Sequence, residues 1–448
     1  MTHVLNPYPA YKDSGVSWLG EIPDHWKPFP LCAFTKPKST RGRPDLPLLS
    51  VYRDYGVIPR NSREDNYNPE GADLSTYKVV SPGDLVLNKM KTWQGSLGIS
   101  EHLGIVSPAY IVCGLSGTIE RRYLHLLLRS RHYVDHYNRL SFGVRVNQWD
   151  MRYEDFKRVP IHLPPIEEQH AIARYLNSEL AVINLCIRAK RRLIDLLNEQ
   201  KKTIIHRALT RGLDPNVHLK PSGIDWLGEV PEHWETKRLK WVTRLQRGYD
   251  LPQDQRKPGM VPVVSSGGVI DTHCEARAEG PGIVMGRYGS TDAVFFIDKD
   301  FWPHNTALFV TDFHGNNRRW CFYLLRIISK ADYSFKSAVP GIDRKDLYGI
   351  YVPQPPINEQ INLVRGVEQQ LRAVETVMDR SQREIDLIRE YRTRLIADVV
   401  TGKVDVRGLA AGLPEVEAAE PLDELSMEVE ATMDEDPELA EEEAGADD

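Results

Sequence analysis

The residue types and spacings that mark common catalytic sites are missing from this sequence of 448 residues. No GxxxxGK[ST] phosphate loop occurs, because Gly402-Lys403 has neither the upstream glycine nor the following Ser or Thr. HExxH and GxSxG motifs are also missing, and the five cysteines include no CxxC pair that would suggest a zinc site or a disulfide framework. The sequence therefore predicts a chain with no catalytic or metal site of its own.

Side chains suited to base edges and phosphates do occur, in Gly-punctuated loops that follow apolar runs. In the first half of the chain they lie in residues 88–98 and 141–150, and the candidates are Lys89, Lys91, Trp93, Gln94, Arg145, Asn147 and Gln148. In the second half the candidates are Ser265, Ser266, Arg287, Tyr288, Ser290, Lys336 and Arg344. Each one taken singly is more simply explained as an ordinary polar loop residue, so the prediction of DNA contact rests on the sets.

The charge distribution favours a polyanionic partner. The chain has a net charge of −6, but residues 408–448 carry 16 acidic residues and no Lys or Arg. The remaining 1–407 hold 57 basic and 47 acidic residues, a net charge of +10. We expect 408–448 to be a disordered acidic tail, either a solubilising segment or an internal competitor for the DNA-binding surface.

An internal duplication organises the chain. Residues 14–26 (SGVSWLGEIPDHW) and 222–234 (SGIDWLGEVPEHW) are identical at nine of 13 positions. Residues 164–169 (PPIEEQ) and 355–360 (PPINEQ) form a second matched pair in the same order. We expect the tryptophans that recur in the first pair to be core or docking aromatics, namely Trp18, Trp26, Trp226 and Trp234.

Two dissimilar stretches, 27–163 and 235–354, lie between the matched segments. Both contain short β-branched and aromatic runs broken by Gly and Pro, followed late by helical pieces, which predicts mixed α/β (α+β) domains. Both are basic, with an excess of +7 in the first and +4 in the second. A shared frame that carries two different basic domains is suited to reading two different targets.

A long stretch almost free of Gly and Pro follows each PPxxEQ motif, and each ends at a glycine, Gly212 or Gly402. About 45 residues make a helix of roughly 65 Å, a length that favours a coiled coil. Two heptad seams are apolar apart from coinciding polar positions, Lys190 with Ser381 and Lys201 with Arg392. We expect the two helices to pair antiparallel as a rod, which gives the duplicated chain a pseudo-two-fold internal repeat. Packing of each helix on its own domain is the alternative.

The duplicated WLGExP segments, the two PPxxEQ motifs opening long helices, and the two dissimilar domains together resemble the specificity (S) subunit of type I restriction–modification systems. The resemblance covers residues 1–407 and leaves out the acidic tail. Together with the acidic tail (408–448), it divides the chain into five segments, of which the other four are a first target-recognition domain with its repeat segment (1–163), a spacer helix (164–212), a second such domain (213–354) and a second spacer helix (355–407).

The resemblance also implies partners. In that family each target-recognition domain reads one half of a bipartite sequence in double-stranded DNA, and the helices set the gap. Two methyltransferase (M) subunits dock on the repeated regions and restriction (R) subunits join them. The docking and helix-start residues would then be Pro164, Pro165, Glu168, Gln169, Pro355, Pro356, Glu359 and Gln360. S-adenosylmethionine, ATP and Mg²⁺ would belong to the partner subunits, and this chain would need no cofactor.

Two other functions stay open at this point: a nucleic-acid-binding coiled-coil scaffold outside restriction–modification, and an enzyme whose active site escapes these motif searches. We also expect a cytoplasmic, reduced protein, because the sequence has no signal-peptide pattern and no apolar run of the roughly 18–20 residues needed for a membrane span.

Overall fold

The computed structural model describes residues 6–53, 55–62, 73–143, 149–287, 293–328 and 342–414. The chain divides into two compact units. The first unit comprises residues 1–191 and 383–448, and the second unit comprises residues 192–382. Each unit therefore contains one of the two dissimilar domains and one part of each long helix, and the units are described separately below.

The first unit is built from short antiparallel strands and three helices before the long helix begins. The strands are β1 Tyr11–Asp13, β2 Glu21–Pro23, β3 Lys27–Pro30, β4 Thr35–Lys38, β5 Leu49–Tyr52, β6 Gly56–Pro59, β7 Lys78–Val80, β8 Leu85–Asn88, β9 Leu97–Ile99, β10 Gly104–Val106, β11 Tyr110–Leu115 and β12 Pro160–Leu163. The helices are α1 Arg121–Leu128, α2 Arg131–Leu140 and α3 Tyr153–Phe156. The central sheet has the strand order β4-β11-β8-β9.

The second unit has the same plan. Its strands are β13 Leu219–Pro221, β14 Glu229–Pro231, β15 Glu235–Arg238, β16 Arg244–Arg247, β17 Val261–Ser265, β18 Gly268–His273, β19 Gly282–Gly286, β20 Val294–Ile297, β21 Trp302–Pro303, β22 Ala307–Asp312 and β23 Tyr351–Gln354. Its short helices are α5 Arg318–Ile327 and α6 Arg344–Tyr348. The central sheet has the strand order β16-β22-β19-β20.

The two sheets are equivalent strand by strand, although their sequences do not resemble each other. In both units the first strand pairs with the last, which pairs with the second, which pairs with the third, all antiparallel. Outside the sheet, β3 pairs with β12 just as β15 pairs with β23. The duplication seen in the repeat segments therefore extends, at the level of the fold, through both dissimilar domains.

The long helices are α4 Ile166–Arg211 and α7 Ile357–Val400, and each begins directly after its Pro-Pro pair. Their antiparallel pairing is visible inside each unit. In the first unit Lys190 bonds to Glu384, and Arg392 donates to Asn184 over 3.4 Å. In the second unit Lys201 donates to Glu375 over 2.7 Å.

The seam positions predicted from the heptads are buried or half-buried throughout both helices, which confirms the seam. Leu176, Ile187, Val367 and Ile385 are at most 2% exposed. The polar seam residues are accommodated by cross-helix bonds at Lys190, Lys201 and Arg392, while Ser381 is simply small and buried. The coiled-coil prediction is therefore correct, and packing of each helix on its own domain alone is excluded.

The predicted boundary of the acidic tail falls inside a folded element. Helix α8, Arg407–Ala410, crosses residue 408, and Ala410 is 1% exposed. Residues 415–448, which hold all 16 acidic residues of the tail, lie outside the described residues. Within the described ranges no helix has the length and hydropathy to cross a membrane.

Candidate nucleic-acid interface

A buried carboxylate joins the first repeat segment to the start of α4. Glu168 is 6% exposed. It accepts hydrogen bonds from the Tyr8 hydroxyl over 2.7 Å and from Trp26 Nε1 over 3.0 Å, and it pairs with His25 Nε2 over 2.7 Å. Burial, together with this bond to Glu168, raises the pKa of Tyr8 far above its ordinary value, so the hydroxyl stays a neutral donor. These residues join the repeat segment to the glutamate of PPIEEQ. We call the cluster of Tyr8, His25, Trp26 and Glu168 the first lock.

The second unit has the same lock with fewer bonds. His233 pairs with Glu359 over 2.8 Å, as His25 pairs with Glu168. Trp234 is 1% exposed and its Nε1 has no hydrogen-bond partner. No tyrosine corresponds to Tyr8, because Asn216 lies at the position 208 residues later. The tryptophans Trp26 and Trp234 are therefore core residues, as predicted, but only the first is fully satisfied.

The glutamine of each PPxxEQ motif connects the long helix to the mixed α/β domain that precedes it. Gln169 accepts from the backbone N–H of Glu120, the N-cap residue of α1, over 3.0 Å. Gln360 accepts from the N–H of Asn317, the N-cap residue of α5, over 2.9 Å. Both amides donate back to the first proline of their own motif, Pro164 or Pro355, over 2.9 Å. These contacts fix the orientation of each preceding domain on its helix.

Most of the predicted docking residues are thus used inside their own unit. Glu168, Gln169 and Gln360 are buried, as are the first prolines Pro164 and Pro355, and Glu359 is half-buried. Pro165 and Pro356 are exposed. The long helices begin directly after these motifs, at Ile166 and Ile357, whereas a role in docking a partner stays a prediction.

The two candidate loops of the first unit meet at the end of β8. Lys89 Nζ lies 2.6 Å from Asp150, and the N–H of Met151 donates to the Lys89 carbonyl over 2.9 Å. The rings of Trp93 and Trp149 are 5.0 Å apart. Lys91 is exposed and Gln94 is half-buried, while Arg145, Asn147 and Gln148 lie outside the described residues. We call this surface, residues 88–96 with 141–143 and 149–151, the first tip.

Those candidates of the second unit that the structure describes also converge, at the end of the equivalent strand β19. The N–H of Arg287 donates to the Thr306 carbonyl over 3.1 Å, and the N–H of Ser266 donates to Thr306 Oγ1 over 3.4 Å. The N–H of Ile342 donates to the Arg287 carbonyl over 2.9 Å, which is the counterpart of the Met151–Lys89 bond. We call this surface, residues 246–250, 265–268, 287, 304–306 and 342–344, the second tip.

Not every predicted residue of the second tip is free to contact a ligand. Ser265 is 8% exposed, and its hydroxyl donates to the Gly268 carbonyl and accepts from the Gly267 N–H, both over 3.2 Å. Its contribution in this structure is therefore to shape the turn. Arg344 is exposed on α6, while Tyr288, Ser290 and Lys336 lie outside the described residues. DNA contact by any of these residues stays a prediction.

The second tip includes polar residues that the sequence reasoning missed. Asn305 donates from its amide to Asp250 over 2.6 Å, and Arg247 Nε donates to the Asn305 carbonyl over 3.4 Å. Between them Gly248 packs so closely that a Cβ there would lie 2.1 Å from the His304 carbonyl oxygen. The available signal was the polar triplet 304–306 between two buried strands, which is too short to stand out without the tertiary contacts.

Comparisons with known proteins agree with this arrangement. Residues 231–383 match the family model described as the type I restriction modification DNA specificity domain. The chain is 24% identical over 371 residues to a putative type I restriction enzyme MjaX specificity subunit of Methanocaldococcus jannaschii, covering 75% of this chain and 81% of the relative. It is 23% identical over 294 residues to the MjaVIII specificity subunit of the same organism, covering 57% of this chain and 64% of that relative.

A solved structure shows the same fold. A chain described under complex assembly and conformational transition of the type I R-M system superposes with a TM-score of 0.63 at 14% identity, covering 86% of this chain and 99% of that one. The comparisons favour DNA specificity over a nucleic-acid-binding scaffold outside restriction–modification. Residues 231–383 match the DNA specificity domain and the curated relatives are specificity subunits, so these matches support the resemblance to type I restriction–modification specificity subunits and a role in DNA recognition rather than catalysis.

Proposed function

We propose that each unit reads one half of a bipartite DNA sequence through its tip. The observation that carries this proposal is that two sheets of identical strand order end in tips made of different residues. Lys89 and Asp150 stand at the first tip, where the second has Arg287 and Asn305. Equivalent loops on a common frame support the same kind of contact with two different base sequences.

The paired helices α4 and α7 would set the gap between the two half-sites. A helix of 46 residues is about 69 Å long at 1.5 Å per residue. The cross-helix bonds Lys190–Glu384 and Lys201–Glu375 support a fixed register, because polar pairs in a coiled-coil seam disfavour other alignments. When one unit is bound to its half-site, a stiff spacer of fixed register holds the other unit at one distance along the DNA. This raises the effective concentration of the second unit only at a half-site with the matching gap.

Two methyltransferase subunits and the restriction subunits would assemble on this frame. The duplicated locks support two like docking positions, one in each unit. Large apolar side chains left in water on the long helices support protein partners there: Val182 is 62%, Leu185 61%, Leu196 52% and Leu387 65% exposed. Under this proposal S-adenosylmethionine, ATP and Mg²⁺ bind to the partners, and the complex works in the cytoplasm, where the host DNA lies.

The direct test is the methylation pattern of DNA in a strain that expresses the gene together with its methyltransferase partner, compared with the same strain lacking only this gene. We expect methylation of a split motif, two short blocks around a fixed gap, to depend on the gene. A continuous motif, or methylation that persists without the gene, would contradict the proposal.

A further inference from the structure

The first tip exposes two large apolar side chains beside its ion pair. Phe142 is 65% exposed and Met90 is 45% exposed. Met90 directly follows Lys89, and Phe142 is paired through its backbone with Asp150, so each residue adjoins one member of the Lys89–Asp150 pair. One exposed apolar residue needs no explanation, but two beside a basic side chain at a predicted reading surface do.

Both side chains are presented by well-bonded backbone. The N–H of Phe142 donates to the Asp150 carbonyl over 3.2 Å, and the N–H of Asp150 donates back over 2.9 Å. The N–H of Met90 donates to Asn88 Oδ1 over 3.1 Å, and the Met90 carbonyl accepts from Trp93 Nε1 over 2.9 Å. The exposure of Phe142 and Met90 is therefore built into the tip.

The charge around Phe142 and Met90 indicates that their partner is DNA. Lys91 is exposed on the same loop, and residues 27–163 carry 20 basic against 13 acidic residues, which suits DNA phosphates. On the major-groove edge of DNA the apolar group is the C5-methyl of thymine, which Phe and other apolar side chains contact. Because Lys91 directly follows Met90, a phosphate bound by Lys91 would bring the neighbouring base edges toward this part of the tip.

We propose that Phe142 and Met90 read thymine in one half-site by packing on its C5-methyl group. This inference rests on the proposed function and deepens it, because it assigns a base and an atom to the first tip. It makes Phe142 and Met90 determinants of specificity, alongside the phosphate contact expected of Lys91.

The test replaces thymine by uracil, which removes only the C5-methyl, at each thymine of both half-sites in turn. Duplexes carrying the motif found by methylation sequencing are titrated with the full chain bound to its methyltransferase partner. We expect uracil at one or two positions, all in the same half-site, to weaken binding about fourfold each, the effect of losing one buried methyl group. Phe142→Ala and Met90→Ala should bind the thymine duplex more weakly than the wild type does. Replacing those thymines by uracil should not weaken the binding of either variant further.

Leu103→Ala is the matched control, because Leu103 is 50% exposed in the same unit but follows the end of β9 remote from the tip. It should keep the full response to uracil. The inference is overturned if uracil at no position weakens binding by the wild-type complex, or if neither half-site contains thymine. It is also overturned if Phe142→Ala lowers the affinity for the thymine duplex and for the uracil duplex by the same factor relative to the wild type. In each case specific binding of the intact motif would leave the proposed function standing, whereas binding that does not distinguish the motif from a scrambled duplex would overturn both.

Discussion

At the scale of single residues, the buried carboxylate Glu168 is the residue on which the first lock depends. Its two oxygens satisfy the Tyr8 hydroxyl, the Trp26 indole and His25. Glu359 in the second unit has a hydrogen bond from His233. The glutamate at this motif position therefore contributes more to the stability of the first unit than to that of the second unit.

We predict that Glu168→Ala costs about 3 kcal/mol of unfolding free energy, because it leaves the buried Tyr8 and Trp26 donors without a partner. Glu359→Ala should cost about 1 kcal/mol, because its side chain is 31% exposed and the lost bond is near solvent. Urea unfolding followed by tryptophan fluorescence measures both. Equal losses in the two variants would show that the locks are equivalent after all.

Lys91 at the first tip is predicted to contact a phosphate. Lys91→Ala should weaken binding to all DNA sequences alike and reduce the slope of log affinity against log salt by about 0.9, the value of one phosphate contact. Lys202→Ala on α4 removes the same charge from an exposed residue paired with Glu199, and should leave the slope unchanged. A Lys91→Ala slope equal to that of the wild type would place this side chain away from DNA.

Residue-level prediction from sequence was uneven, for physical reasons. The PPxxEQ motifs and the recurring tryptophans were recognisable because both copies repeat the same buried contacts. Tyr8 and Asn305 escaped notice because their bonds, to Glu168 and Asp250, are formed only when distant or irregular segments meet. A periodic pattern in the sequence does not predict hydrogen bonds between such distant segments.

At the scale of elements, each long helix is followed within two residues by a glycine with positive φ, +78° at Gly212 after α4 and +77° at Gly402 after α7. The surroundings of the two glycines differ. A Cβ on Gly402 would lie 2.4 Å from Pro23 Cδ and 3.1 Å from the Trp26 ring, whereas a Cβ on Gly212 would make only ordinary contacts at 3.7 Å or more. The end of α7 thus packs directly against the first lock.

Gly402→Ala should therefore destabilise the first unit by about 3 kcal/mol, the sum of left-handed strain and a steric clash. Gly212→Ala should cost the second unit about 1 kcal/mol from strain alone. Hydrogen exchange of peptides from each unit separates the two effects. A larger loss of protection for Gly212→Ala than for Gly402→Ala would be inconsistent with this packing.

The spacer prediction also belongs to the elements. Because Lys190 pairs with Glu384 and Lys201 with Glu375, a heptad inserted after Asp195 in α4 needs a matching heptad after Asp379 in α7. The double insertion lengthens both helices by about 10 Å, and we expect the gap in the methylated motif to grow by about three base pairs. The half-sites themselves should not change. Methylation sequencing that shows the old gap would exclude the helices as the spacer.

At the scale of the whole molecule, the sequence predicted the helical seams better than the reading domains. Heptads repeat through residues 176–208 of α4 and 367–399 of α7, so the buried positions there were predictable one by one. The equivalence of the two sheets was not, because the dissimilar domains share strand order without sharing side chains. Backbone pairing preserves a sheet while its loops diverge. The proposal that two domains of the same fold read different DNA sequences requires this.

The measurement that tests this account most directly is an exchange of one reading domain. Residues 27–163 are replaced by the corresponding domain of another specificity subunit, with the locks, both helices and the second unit retained. Sequencing of methylated DNA should then show one half of the split motif changed, and the other half and the gap unchanged. A change in both halves would contradict the assignment of one half-site to each unit.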